Sequence, residues 1–301
     1  MRFNILTYNN GVGIVTDAIL LKDLIYDNIS EQVEVKFVEE QNLETADIGI
    51  WIQNYDVNLL NNFKKNIFFI NEEWAGINEL SNLHLFDYVI CKSTYAKNLL
   101  TSHRNVIYIP FISKDYYDPN IKRYPSVLHF AGRSIQKNTE LVLSSTDTLT
   151  LIDPYDRYVV NKNVRHINKY QSTNQLMQLL NSHTIHICCS LYESWGHYLY
   201  EGLSTGSEIV CSEIPTFTEQ LDPDIVHFIP TIKTSNLHHI YDIDNINKKF
   251  PLRRSFYVDT NTYKDTISCL TPKGSIDKKR SLFRHIINKN SNLLLTFLKN
   301  I

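Results

Sequence analysis

Residues 184–219 read TIHICCSLYESWGHYLYEGLSTGSEIVCSEIPTFTE. The first seven make a short apolar run, which suits a buried strand. A loop, LYESWG, follows. From His197 onward apolar and aromatic residues recur at helical spacing until Gly206, and glycine commonly ends helices. EIVCS is a second apolar run. The stretch is therefore a strand–helix–strand unit, the building block of parallel sheets. Two of its glutamates stand eight positions apart, Glu193 in the loop and Glu201 about one turn into the helix. Open parallel sheets bind ligands outside the carboxyl ends of their strands. Both carboxylates fall at that edge.

The same alternation runs outward from this unit. SVLHFAG (126–132) and TLTLID (148–153) read as strands, NTELVLSS (138–145) and NQLMQLLNS (174–182) as helices. Ahead of them lies KDYYDPNIKRYP (114–125), polar and with two prolines, which reads as a linker. An earlier series precedes it. RFNILTY (2–8), VEVKFV (33–38), ADIGIWI (46–52), NIFFIN (66–71), FDYVICKS (86–93) and VIYIPF (106–111) read as strands. VTDAILLKDLIYDNI (15–29) has an amphipathic helical pattern, and STYAKNLLTS (93–102) a Ser/Thr-capped one. The tail, residues 278–301, reads as one or two helices. The expected fold is α/β, with two Rossmann-like doubly wound domains, 1–117 and 118–275, facing across a cleft. A helical segment, 276–301, would pack back on the N-terminal domain.

The 301 residues are 43% hydrophobic and 21% charged, an ordinary globular composition. A net charge of −2 gives no global positive field to draw the chain to nucleic acid or anionic membranes. No apolar run approaches the roughly 20 residues of a membrane span. Five cysteines, Cys91, Cys188, Cys189, Cys211 and Cys269, lack metal-ligand spacing and read as reduced, buried thiols. With no N-terminal signal pattern, the expected location is the cytoplasm.

Three further segments follow strands. NNGVG carries Gly11 and Gly13 directly before a helix. It can bring backbone and helix N-terminus close to an anion, or be a plain strand-to-helix turn. The dinucleotide fingerprint is incomplete, because Thr16 holds its third glycine position. GRSIQKNT places Arg133 and Lys137 after Gly132 on a loop opening a helix. Two converging cations suit a diphosphate, and a solvated basic loop is the alternative. FINEEWAG carries Glu72, Glu73 and Trp74. Around Glu193 and Glu201, carboxylate acceptors suit sugar hydroxyls, and the free N–H groups near Gly196 and His197 suit a phosphate or sugar oxygen.

ESWGHYLYEGLSTGSEIVCSEIPTFTE resembles the E-x7-E region of retaining GT-B glycosyltransferases, the "glycosyl transferases group 1" or family 4-like group. The matching residues are Glu193, Ser194, Gly196, Glu201, Gly206, Val210, Ser212, Pro215 and Glu219. FAGRSIQKNT resembles that family's Gly-Arg…Lys loop, and NNGVG its N-terminal glycine loop. Together these cover about half the chain, in family order. There are departures. Trp195 replaces the usual Phe, Gly202 the usual Ala, Glu208 the usual Pro, and Asn138 the glycine after the loop lysine. The chain is short for the family, which implies a trimmed acceptor domain.

The resemblance implies a hexosyltransferase moving a sugar from a nucleotide-sugar to a hydroxyl of a glycan, glycoprotein or other acceptor, with retention at the anomeric carbon. It implies no cofactor and no metal. Arg133 and Lys137 would stabilise the departing diphosphate, Glu201 would hold the ribose, and Glu193 would hold the donor sugar. Gly11, Gly13, Gly132, Gly196 and His197 would complete the donor site. Glu72, Glu73 and Trp74 resemble an acceptor-side segment of some viral and bacterial members, a solvated loop with a packed Trp being the alternative. A GT-B nucleotide-sugar epimerase and a non-catalytic nucleotide-sugar-binding module remain open, and the incomplete glycine fingerprint disfavours an oxidoreductase. Two look-alikes are set aside. Asp242–Asp244 mimics a D-x-D metal motif away from any strand end. His238–His239 lacks partners at ligand spacing.

Overall fold

The computed structural model of the chain describes residues 1–9, 13–39, 44–169, 171–234 and 249–301. Gly11, His238–His239 and Asp242–Asp244 lie outside them. The described residues form two compact units. The first comprises residues 1–112, 249–253 and 287–301, the second residues 113–234 and 254–286.

In the first unit a six-stranded parallel sheet is built from β1 (Phe3–Thr7), β2 (Val33–Phe37), β3 (Ala46–Ile52), β4 (Phe63–Ile70), β5 (Tyr88–Cys91) and β6 (Val106–Tyr108). Its order is β2-β1-β3-β4-β5-β6. The central strands are buried on both faces, so they read as unbroken apolar runs rather than alternating ones. Helix α1 (Gly13–Asn28) turns Ile14, Ala18, Leu21 and Ile25 inward, a helical spacing, and buries Asp17 with them. The Asp17 carboxylate accepts from Lys92 Nζ at 2.5 Å, an ion pair almost wholly out of solvent. Short helices α2 (Ile77–Ser81) and α3 (Thr94–Leu99) follow, the latter capped by Ser93 as its sequence suggests, Ala96 N donating to the Ser93 hydroxyl at 2.9 Å.

The second unit repeats the plan. Its strands are β7 (Tyr124–Phe130), β8 (Leu149–Ile152), β9 (Val164–Ile167), β10 (His183–Cys188), β11 (Glu208–Ser212) and β12 (His227–Ile229), in the order β12-β11-β10-β7-β8-β9, all parallel. Helices α4 (Thr139–Ser145), α5 (Thr173–Ser182), α6 (His197–Ser204) and α7 (Pro215–Thr218) connect them. The hairpin of β13 (Ile232–Thr234) and β14 (Ser255–Tyr257), then α8 (Thr260–Ser268), complete the unit. The tail is one helix, α9 (Ile276–Lys299). Its residues from 287 on belong to the first unit, where Phe297 meets Tyr88 edge-on at 5.1 Å and Asn290 donates to the Phe111 carbonyl at 2.8 Å.

The sequence reading omits β9, β12, β13, β14, α2, α7 and α8. The two outermost strands of the second sheet, VRHI and HFI, are too short and mixed to give a period. Four of the five free cysteines are buried, whereas Cys269 is exposed. Among the described residues no helix is long and apolar enough to cross a membrane.

Two histidines tie this sheet to its surroundings. His129 is fully buried, its ring nitrogens 2.9 Å from the Ile187 carbonyl and 2.9 Å from the Thr139 hydroxyl. His186 Nε2 lies 3.0 Å from the Leu180 carbonyl. Burial pulls His129 from 6.5 down to about 4 and His186 to about 3. In the unfolded chain both take up a proton near pH 6.5, whereas the folded chain refuses it. Stability is therefore complete above pH ~6.5 and is lost as pH falls, at about 1.4 kcal/mol per histidine per pH unit. Urea midpoints are expected to fall between pH 6.5 and 5, above the carboxylate range. A constant midpoint across that window would mean the rings are not held neutral.

Candidate functional site

The chain leaves β7 outward to β8 and β9, returns to β10 beside β7, and then runs outward the other way. Such a reversal of strand order opens a crevice at the carboxyl ends of the two central strands. The loop after β7 carries Gly132, Arg133 and Lys137. The loop after β10 carries Glu193 and leads to α6.

Local geometry presents these side chains. Gly132 adopts φ +58°. A one-turn 3-10 helix, Ile135–Lys137, follows, with Ser134 as its cap, accepting from Gln136 N at 3.2 Å. It ends at Asn138 in the left-handed region, φ 56°. Asparagine tolerates that conformation, which is why it can stand where the resembled motif has glycine. The turn aims Lys137 at the second loop, where its ammonium donates to the Glu193 carboxylate. Ser190 Oγ donates to the same carboxylate oxygen at 2.9 Å, and Leu191 N donates to the Gln136 carbonyl at 2.8 Å. Thr216 Oγ1 donates to the Glu193 carbonyl at 2.6 Å and fixes the loop from behind.

Glu193 thus meets Lys137 directly, an ion pair that assigning one to sugar and the other to diphosphate does not foresee. Arg133 is exposed, and its guanidinium has no partner among the described residues. Gly196 caps α6 with φ +87°, and a Cβ there would stand 2.8 Å from the Phe217 ring. His197 Nδ1 lies 3.0 Å from Ser113 Oγ, which also accepts from Trp195 Nε1 at 2.9 Å. A phenylalanine has no N–H for that bond, so the Trp has a local reason. One turn on, Glu201 is nearly buried, and no hydrogen-bond donor reaches its carboxylate among the described residues. Burial pushes its carboxyl above the usual range, against the opposing charges of His197, Lys137 and Lys114. A carboxylate with no protein donor can accept from a ligand hydroxyl.

Within the second unit both sheet order and site geometry are now in place. The fold is GT-B. Solved structures match it at low identity. HepE of Anabaena in complex with UDP-glucose superposes with TM-score 0.57 at 10% identity, over 96% of this chain and 100% of that one. The pneumococcal O-GlcNAc transferase GtfA in complex with UDP and GlcNAc gives 0.60 at 12%, over 86% of this chain and 57% of that one. A UDP-forming trehalose-phosphate synthase of Burkholderia vietnamiensis gives 0.57 at 8%, over 86% and 72%. The chain spans little more than half the length of GtfA and of TarM. No family model matches the sequence, and no curated protein matches it.

In this GT-B chain the remaining expected residues lie in the first unit. Gly13 opens α1, and a Cβ there would meet nothing within 4 Å, so packing does not demand the glycine. Glu72 and Glu73 are buried in a 3-10 turn, Glu72–Trp74, at the carboxyl end of β4. Trp74 is half-buried, with the Arg253 guanidinium 4.3 Å from its ring and Phe250 edge-on at 5.4 Å. Among the described residues no group of three or more His, Cys, Asp or Glu side chains is placed to hold a metal ion.

Sequence reasoning missed two residues of the second unit. Gln136 is buried, and its side-chain carbonyl has no donor among the described residues. Arg157, in the loop after β8, donates to the Gly132 carbonyl at 2.6 Å and the Arg133 carbonyl at 2.7 Å. Gln136 lies inside the GRSIQKNT segment, but an uncharged side chain between Arg133 and Lys137 carries no signal of its own. Arg157 had no signal at all, because its partners are backbone atoms of a neighbouring strand's loop.

Proposed function

We propose that the protein is a glycosyltransferase that moves a sugar from a nucleotide-sugar to an acceptor hydroxyl, retaining anomeric configuration and using no metal ion. The observation that carries this reading is the Lys137–Glu193 ion pair across the β7/β10 crevice, with Arg133 on the same loop as Lys137 and Glu201 one turn into the helix that follows Glu193. Arg133 and Lys137 would hold the diphosphate and stabilise its charge as the bond to the sugar breaks. Preorganised charge of this kind is typically the largest catalytic contribution. Glu201 would accept from the ribose hydroxyls and Glu193 from the donor sugar. HepE and GtfA are named as complexes with UDP-glucose or UDP and GlcNAc, which supports a UDP-hexose as the first donor to try. The first unit would bind the acceptor, a glycan, glycoprotein or other hydroxyl compound, through Glu72, Glu73 and Trp74. The protein would work in the cytoplasm.

The two glutamates separate under mutation. Glu201→Gln should weaken a nucleoside diphosphate and its sugar conjugate alike, by about 1.5–3 kcal/mol at most. Glu193→Gln should leave diphosphate affinity within a few-fold while cutting turnover. If Glu193 served only to hold its loop, Glu193→Gln would lower the melting temperature with no selective kinetic effect. Calorimetric titration of both variants, beside their turnover numbers, distinguishes these cases. Equal loss of diphosphate affinity in both would refute the assignment of ribose to one and sugar to the other.

A further inference from the structure

Arg157 engages three consecutive carbonyl oxygens of the loop after β7. Its guanidinium donates to Ala131 O at 3.4 Å, Gly132 O at 2.6 Å and Arg133 O at 2.7 Å. In a trans peptide the C=O and the following N–H point in opposite directions. Holding the carbonyls of residues 131, 132 and 133 therefore fixes the N–H groups of Gly132, Arg133 and Ser134 on the opposite side. Those three amides have no acceptor among the described residues. Successive unpaired backbone N–H groups in a turn containing a left-handed residue form an anion-binding concavity, and Gly132 supplies the left-handed residue.

The clasp is itself anchored. Asp153, wholly buried at the end of β8, accepts from Arg157 N at 2.6 Å and Tyr158 N at 3.2 Å. Its other oxygen lies 3.6 Å from Arg157 Nε. The rings of Tyr155 and Tyr158 flank the guanidinium at 5.7 and 5.2 Å.

We propose that Arg157 is a positioning residue that turns the Gly132–Ser134 amides toward the donor's diphosphate, so that backbone N–H groups bind it together with Arg133 and Lys137. This rests on the nucleotide-sugar reading of the site. It needs the forked guanidinium, since one lysine ammonium cannot reach three carbonyls and Asp153 together.

The test uses the full chain and whichever of UDP, GDP and ADP the wild type binds most tightly by calorimetry. Arg157→Lys and Arg157→Gln are both expected to weaken that ligand at least tenfold. Ligand-free melting, recorded for both, identifies folded protein. The Lys variant keeps a cation beside Asp153 and so guards against simple misfolding. A second readout is coupling. Arg133→Ala should cost less affinity in the Arg157→Lys background than in the wild type, which a purely structural role would not produce. Wild-type affinity in folded Arg157→Lys would overturn the clasp and leave the function reading standing. Failure of the wild type to bind any of the three diphosphates would overturn both.

Discussion

Replacing Lys137 by methionine is expected to lower turnover by roughly 10²–10³-fold, the usual cost of removing one preorganised charge-stabilising donor. Methionine keeps the length and the apolar stem but removes the ammonium. Two effects add. The diphosphate loses a cation, and Glu193, whose side chain is 8% exposed, loses its ion-pair partner and keeps, among the described residues, the Ser190 hydroxyl. Arg133→Ala should cost less, because Arg133 is exposed and pairs with no described side chain. Turnover of the two variants with the same UDP-hexose measures the difference. A wild-type rate in Lys137→Met would remove the lysine from the diphosphate site.

A large expected change in stability lies away from the site. Glu208, the first residue of β11, accepts from Lys279 of α9, from Lys273 N at 3.1 Å, and lies 3.3 Å from His227 Nε2. Only 3% of the Lys279 side chain is exposed. Glu208→Ala leaves that ammonium buried without its carboxylate, which costs about 3–5 kcal/mol. Replacing both partners by apolar residues of similar size is often neutral, so Glu208→Leu with Lys279→Met should recover most of the loss. Urea unfolding of the single and double variants measures both values. A loss under about 1 kcal/mol in the single variant would show that the pair is solvated.

The departures from the family pattern show what could be read in the sequence. Strand–helix alternation and the two parallel sheets were legible because buried parallel strands advertise themselves as apolar runs. The loops bearing Arg133, Lys137 and Glu193 were legible because they follow such runs. The reasons for Gly202, Asn138, Trp195 and Glu208 were not, since each answers to a residue distant in sequence or to a backbone angle. A Cβ at Gly202 would stand 2.7 Å from His186 Nδ1, so the buried histidine disfavours the alanine of the resembled motif. Asn138 answers to its left-handed φ, Trp195 to the Ser113 hydroxyl, and Glu208 to Lys279 of the last helix. The Lys137–Glu193 pair and the Arg157 clasp were hidden for the same reason. Side-chain reach across loops leaves no periodic trace.

The central claim is that the β7/β10 crevice binds a nucleoside diphosphate through Arg133 and Lys137 without a metal ion. Titrating the protein with UDP in the presence of a chelator, with melting recorded beside calorimetry, tests it most directly. UDP at 100 times its dissociation constant should raise stability by about 2.7 kcal/mol. That gain should fall in both Arg133→Ala and Lys137→Met. Binding that disappears in chelator and returns with magnesium or manganese, or binding unchanged in both variants, would contradict the account.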